Sequence, residues 1–225
     1  MIELNARAWA GLSALVVTLA CFLFLPAWTF FYWQAWVFLA LFTVETAAIT
    51  MYLMKHDPDL LERRVKAGPV SEKDPIQKLI QSVASLSFVS IFLVSALDHR
   101  WAWSRTGMLF TVLGEILVGL GLLIVFFVFK ENTYTSATIE VGAKQKTIST
   151  GPYALVRHPM YAGAFVMLVG VPLSLGSWWG RLAVAPLIAV ILWRLFEEEE
   201  YLRKNLDGYL AYQSKVKYRL LPGLW

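Results

Sequence analysis

The sequence predicts an all-α integral membrane protein of about six transmembrane helices, and three observations carry that expectation. Hydrophobic residues make up 58% of the 225 and mean hydropathy is +0.57, against roughly 45–50% apolar residues in soluble domains. Uncharged apolar runs recur at lengths near the roughly 20 residues that cross a bilayer as a helix. The turns on one side of these runs are short and rich in tryptophan, as expected of rings at a membrane–water interface. No Pro/Gly/Ser-rich linker, low-complexity tract or internal repeat divides the chain, so it reads as one membrane domain, 1–225, with N-terminal helices over 1–129 and the chemically informative part over 130–225. Cys21 is the only cysteine and has no CxxC or Cys/His metal spacing around it.

From Ala8 to Val44 there is no charged residue, too long a run for one span. Pro26 and the aromatic cluster from Trp28 to Gln34 split it into helices over roughly 8–27 and 34–54. Arg7 followed by an apolar run loosely fits a secretory leader. However, no small-x-small cleavage site is followed by a polar start, and apolar sequence resumes by Trp36, so the first run reads as a span. Leu79–Leu97 gives a third helix, and Thr106–Phe129, interrupted by Glu115, a fourth. Pro159–Ser177 and Gly180–Tyr201 complete six, joined by Gly176-Ser177-Trp178-Trp179-Gly180 as a tight hairpin.

Charge sets the orientation. With the N-terminus, loop 55–78, loop 130–158 and the tail from Arg194 on one side, that side holds seventeen of the 20 lysines and arginines. Arg100, Arg105 and Arg181 fall opposite. By the positive-inside rule the basic side is the cytosol, which puts both termini there. In loop 55–78, Asp57-Pro58-Asp59 opens Leu60 to Lys66 as a short amphipathic helix suited to anionic headgroups. The stretch Thr133–Ile148 is polar, β-branched and longer than a bare connection requires, so it can fold over something.

Two polar stretches meet at the cytosolic side. One is Gly151-Pro152-Tyr153 followed by Arg157-His158-Pro159-Met160-Tyr161, and the other is Arg194 with Glu197-Glu198-Glu199-Glu200. At about 1.5 Å rise per residue, His158 and Glu198 each lie about 30 Å from the hairpin tip, near one hydrocarbon thickness. Each stretch has a plain structural reading. Gly151-Pro152 is a turn signal, and Pro159 fits the first turn of a helix, where its missing N–H is no loss. Four glutamates at a helix end are usually a solvated face, yet here the macrodipole disfavours them and Arg194 offsets only a few tenths of a kcal/mol. The functional reading is that a helix start exposes N–H groups to an anionic head group while carboxylates opposite accept hydrogen bonds. Arg194 follows twelve uncharged residues, Leu182–Trp193, at the membrane boundary, where an ionisable group is a functional candidate. Glu45 and Glu115 read as structural acids inside the bundle, and Gly119-Leu120-Gly121 as a close helix contact, not a nucleotide loop.

Together these stretches resemble the isoprenylcysteine carboxyl methyltransferase family and, more loosely, the membrane phospholipid N-methyltransferases. The shared pattern is Gly151-Pro152-Tyr153, Arg157-His158-Pro159-Met160-Tyr161, a hairpin, Arg194, Glu198-Glu199 anchored by Leu202, then Tyr209, Tyr212 and Pro222, over about residues 130–225. Where the family usually shows a Gly-His or similar pair before Leu-Val, this chain has Gln145-Lys146-Thr147-Ile148.

The resemblance implies an S-adenosylmethionine-dependent methyltransferase with its cofactor at the cytosolic end of the last two helices. It implies cofactor contacts at Gln145, Lys146, Thr147, Ile148, Tyr153, His158, Pro159, Met160, Tyr161, Glu198 and Glu199. Arg194 is expected to face the methyl acceptor, and Arg194 with Glu198 to carry catalysis. The expected acceptor is lipid-like and enters from the bilayer, with O-methylation of a prenylcysteine-like carboxylate as the main reading. The alternatives are phospholipid N-methylation, an NADPH-dependent reductase related at the C-terminal end, and a non-catalytic membrane protein keeping the fold. No nucleic-acid partner or metal is expected. A reporter fused to the C-terminus should report from the cytosol; a signal from the opposite side overturns the orientation.

Overall fold

The computed structural model describes residues 2–65, 74–136, 138–139, 141–142 and 145–225. Of the residues singled out above, Lys66 in the amphipathic segment and Ala137, Glu140, Ala143 and Lys144 in the long loop lie outside the described residues.

Apolar sequence in lipid satisfies its backbone by forming helices, and the described residues form eight. These are α1 (Ile2–Ala27), α2 (Trp33–His56), α3 (Pro58–Val65), α4 (Pro75–Trp101), α5 (Met108–Glu131), α6 (Pro159–Ser174), α7 (Gly180–Asn205) and α8 (Tyr209–Lys215), with a 3-10 turn at Gly151–Ala154 before α6. The protein is an all-α membrane protein. Helices α1, α2, α4 and α5 are each long and apolar enough to cross a membrane, while α6 is apolar but only 16 residues long. Large side chains such as Val17, Leu86, Ile116 and Leu182 are exposed on its outer surface, where lipid tails are as apolar as they are.

Several helices run past the expected apolar segments, because helical hydrogen bonding continues into polar residues at the interface. α1 starts at Ile2, α4 begins at Pro75, and α7 continues to Asn205. The start of α4 is fixed by Asp74, whose carboxylate accepts from the N–H groups of Ile76 (2.7 Å) and Gln77 (3.2 Å). α6 instead stops short of the expected Ser177. Gly176 adopts φ +71°, which a side-chain-bearing residue rarely takes, and the chain turns there. At about 1.5 Å per residue α6 is about 24 Å long, less than a full hydrocarbon thickness.

The hairpin tip is seated in polar partners. The Tyr32 hydroxyl donates to the Leu175 carbonyl (2.7 Å), Thr106 donates to Gly176 (2.7 Å), and buried Asp98 accepts from the Ser104 and Ser177 hydroxyls. The expected aromatic rim lies at this end. The Arg100 guanidinium lies over both Trp28 and Trp101, Trp101 stacks on Trp103, and Arg181 covers Trp178.

Without a hydrophobic drive between helices in lipid, close packing needs small residues. α5 and α6 supply them at matching seven-residue intervals. Built on Gly114, a Cβ would fall 2.1 Å from the Ser174 backbone; on Gly121, 2.6 Å from the Gly163 carbonyl; on Gly170, 2.7 Å from the Gly114 carbonyl. α6 therefore packs chiefly on α5, and α7 chiefly on α4. The expected contact at Gly119-Leu120-Gly121 divides accordingly: Gly121 meets α6, and Gly119 meets the carboxylate of Glu45 on α2. Gly121→Leu should force the α5–α6 backbones apart and cost about 1–3 kcal/mol, lowering the melting temperature in detergent. Gly119→Ala, which meets only the end of the Glu45 side chain, should leave it nearly unchanged. Equal melting of the two variants would refute the crossing.

Candidate active site

At the end of the bundle opposite the tryptophan rim, α2, α3, α4, α5, α6, α7, α8 and described residues between Asn132 and Ile148 line a cavity of about 540 Å³, within the range usual for small-molecule sites. Its deeper wall is apolar, with Phe42, Ile80, Ala84, Phe88, Leu122 and Ile191. Its outer wall is polar.

Helical rotation of about 100° per residue sends the four consecutive glutamates of α7 to four environments. Glu198 faces the cavity and accepts from the Tyr161 hydroxyl at 2.6 Å. Glu197 accepts from the Trp193 indole (3.2 Å), and Glu200 pairs with Lys204 one turn on (2.6 Å). Glu199 is 2% exposed and turns away from the cavity lining. Its Oε1 accepts from Arg157 Nε (2.7 Å) and lies 3.2 Å from His158 Nε2, and its Oε2 accepts from Arg219 Nε (3.1 Å). A ligand is thus not needed to explain Glu197, Glu199 or Glu200; protein partners account for them, and only Glu198 presents its carboxylate to the cavity.

The tail explains the motif before α6. The N–H groups of Arg157 and His158 donate to the carbonyls of Tyr218 and Arg219 (both 2.9 Å), while Arg157 Nη1 donates to those of Val216 and Lys217. The Arg157 guanidinium is thereby engaged by Glu199 and the tail. The Tyr212 hydroxyl donates to the Tyr153 carbonyl (2.8 Å) and holds the Gly-Pro-Tyr turn on α8. Gly151 makes that turn at φ +56°, with its Cα against the Glu131 carboxylate.

Of the residues expected to contact a cofactor, Gln145, Lys146, Thr147, Ile148 and Tyr153 line the cavity from the loop side, and His158, Pro159, Met160, Tyr161 and Glu198 from the helices. Arg194 lines it as well; its Nη1 donates to Gln77 Oε1 (3.3 Å), and it interacts with the Tyr161 hydroxyl. The Thr147 hydroxyl donates to the Asp207 carbonyl (2.7 Å), which ties the loop to the end of α7. The leading N–H groups of a helix have no intrahelical partner, so those of Met160 and Tyr161 can donate to a ligand. Burial raises the phenols of Tyr153, Tyr209 and Tyr212 above the ordinary tyrosine value, which keeps them neutral donors. Glu45 and Glu115 do not reach the cavity lining.

Sequence reasoning did not find Tyr209 and Tyr212 as lining residues, nor Gln77 beside Arg194, nor Arg64 on α3. Arg64 looked like a headgroup contact, but burial, reinforced by the charge of Arg194, lowers its pKa while leaving it charged.

Residues 109–207 match the family model described as phospholipid methyltransferase. Among curated proteins, the chain is 27% identical over 146 residues to protein-S-isoprenylcysteine O-methyltransferase B of Arabidopsis thaliana, covering 61% of this chain and 70% of that protein. It is 27% identical over 149 residues to the probable protein-S-isoprenylcysteine O-methyltransferase of Oryza sativa subsp. japonica, covering 60% and 73%. A shorter match to protein-S-isoprenylcysteine O-methyltransferase of Schizosaccharomyces pombe is 36% identical over 75 residues, 31% of this chain and 30% of that protein. The resemblance read from the paired motifs stands, and these matches support a membrane methyltransferase.

Removing one partner of a buried ion pair strands the other charge at a cost of about 3–5 kcal/mol. Glu199→Gln should therefore lower the melting temperature and open the tail after Tyr212 to limited proteolysis, whereas Glu200→Gln, on an exposed pair, should do neither. Protection of the tail in Glu199→Gln would show that the cluster does not hold it.

Proposed function

We propose that this chain is an S-adenosylmethionine-dependent methyltransferase with its site on the cytosolic side of the membrane, O-methylating the carboxylate of a prenylcysteine-like or other lipidic acceptor. The observation that carries this reading is the Arg194–Tyr161–Glu198 constellation. It brings a cation and a carboxylate to one tyrosine hydroxyl in a cavity lined by both polar and apolar residues.

The lining suits such a cofactor. The Tyr209 hydroxyl is buried without a hydrogen-bond partner among the described residues, and Glu198 offers a carboxylate to ribose hydroxyls or an ammonium. The first turn of α6 offers N–H groups to a carboxylate, and Tyr153 offers a ring to an aromatic base. When bound, S-adenosylmethionine supplies a methyl group activated by a sulfonium. The chain's residues need only hold the reactants in line, and positioning with fixed charges accounts for such catalysis. A carboxylate acceptor is already a nucleophile and loses no proton, so no general base is required. Arg194 can hold one acceptor oxygen and orient the other, while Phe88, Ile191 and their neighbours exclude water and accommodate the lipid portion.

The description of the matched family favours one second reading, N-methylation of a phospholipid amine. An amine acceptor would gain nothing from Arg194 and would need a base, so comparison of prenylcysteine with phosphatidylethanolamine as acceptor separates the two.

Calorimetry of the purified protein should show binding of S-adenosylhomocysteine, with no competition by NADPH. Arg194→Ala and Glu198→Ala should each lower methyl transfer from labelled cofactor by about a hundred-fold or more while the protein remains folded. Absence of binding sinks the methyltransferase reading, and full activity in either variant removes that residue's role.

A further inference from the structure

The large majority of buried side-chain polar atoms in folded proteins have a hydrogen-bond partner, because a donor or acceptor taken out of water without one is costly. Tyr209 is 3% exposed, and its hydroxyl has no such partner among the described residues. Of the described residues that carry a buried, unpartnered side-chain atom, Tyr209 alone lines the cavity.

The position of this side chain is fixed by its surroundings. α7 ends at Asn205, the chain turns at Gly208 (φ +81°), and α8 begins at Tyr209. The Tyr209 N–H donates to the Leu206 carbonyl (3.2 Å), and the Thr147 hydroxyl ties the same turn to the loop through the Asp207 carbonyl. The Tyr209 ring meets that of Tyr212, with centroids 5.9 Å apart at 54°. The Tyr212 hydroxyl is engaged by the Tyr153 carbonyl, whereas that of Tyr209 is not engaged by the protein. Burial keeps the Tyr209 phenol protonated, so it can donate as well as accept. A phenol held in a cavity wall with its hydroxyl unused is preorganised for one hydrogen bond to a ligand.

We infer that Tyr209 is a cofactor-binding residue whose hydroxyl makes a hydrogen bond with the adenosine portion of S-adenosylmethionine. This deepens the reading of the site as a methyltransferase and rests on it for the identity of the ligand. Two features assign the adenosine end. Tyr209 packs on Tyr212, which holds the turn carrying Tyr153, the ring offered to the aromatic base. A neutral phenol also matches the neutral ring nitrogens and hydroxyls of a nucleoside, while the leading N–H groups of α6 and the Glu198 carboxylate match the charged amino-acid end.

Tyr209→Phe keeps the ring and removes only the hydroxyl. The test is calorimetry on the full chain in detergent with two probes, S-adenosylhomocysteine and methylthioadenosine, the second of which keeps the nucleoside and lacks the amino acid. The variant should bind both more weakly by a similar factor, about five-fold or more. Its ligand-free form should melt at or above the wild-type temperature, since no hydrogen bond within the protein is lost. A lower melting temperature overturns the inference by showing that the hydroxyl serves the fold. Unchanged affinity for S-adenosylhomocysteine, as a hydroxyl satisfied by water alone would give, overturns it and leaves the methyltransferase reading intact. Weakening of S-adenosylhomocysteine with methylthioadenosine unaffected overturns it by placing the hydroxyl at the amino-acid end, as does a wild type that holds the first probe and not the second. If the wild type binds neither probe, the methyltransferase reading falls and the inference falls with it.

Discussion

The polar end of this bundle depends on one buried carboxylate. Glu199 lies at the convergence of the residues before α6, the last turns of α7 and the tail, and it accepts from Arg157 and Arg219 with His158 alongside. Removing a charge from water costs several kcal/mol unless several well-placed partners offset it, so the arrangement holds only when all three segments are in register. Because successive residues on a helix point about 100° apart, fixing Glu199 toward the tail also fixes Glu198 toward the cavity. The acid that faces the cavity is thus aimed by the neighbour that does not.

The same constraint makes sense of the C-terminal tyrosines and the Gly-Pro-Tyr turn. Tyr212 bonds the Tyr153 carbonyl, and the tail's own carbonyls accept from Arg157 and His158. What looks in the sequence like a string of separate motif residues is a set of linked contacts, with the tail's backbone paired to the backbone and side chains of the residues before α6.

The spans were legible in the sequence because hydrophobicity is a one-dimensional signal, and the convergence of the two polar stretches followed from helix length alone. Helix ends were less legible, since α1, α4 and α7 carry their hydrogen bonding into charged residues that no hydropathy argument counts as span. That α6 packs chiefly on α5 instead of its hairpin partner α7 was not foreseen, although the signal was present: Gly114 and Gly121 on one helix match the spacing of Gly163 and Gly170 on the other. Within the site, the four glutamates could not be told apart in sequence, because which of them meets the tail depends on tertiary register. Arg64 was read as a headgroup contact because a short amphipathic helix is equally suited to lipid. Only the packing of Leu60 and Leu61 beneath it turns its guanidinium toward the cavity.

The glycine crossing described for α5 and α6 has a mechanical consequence. Backbones approach closely at Gly114, Gly121, Gly163 and Gly170, so these two helices cannot slide past one another without clashing. Relative motion of the helices then falls more readily to pairs that lack such a backbone crossing.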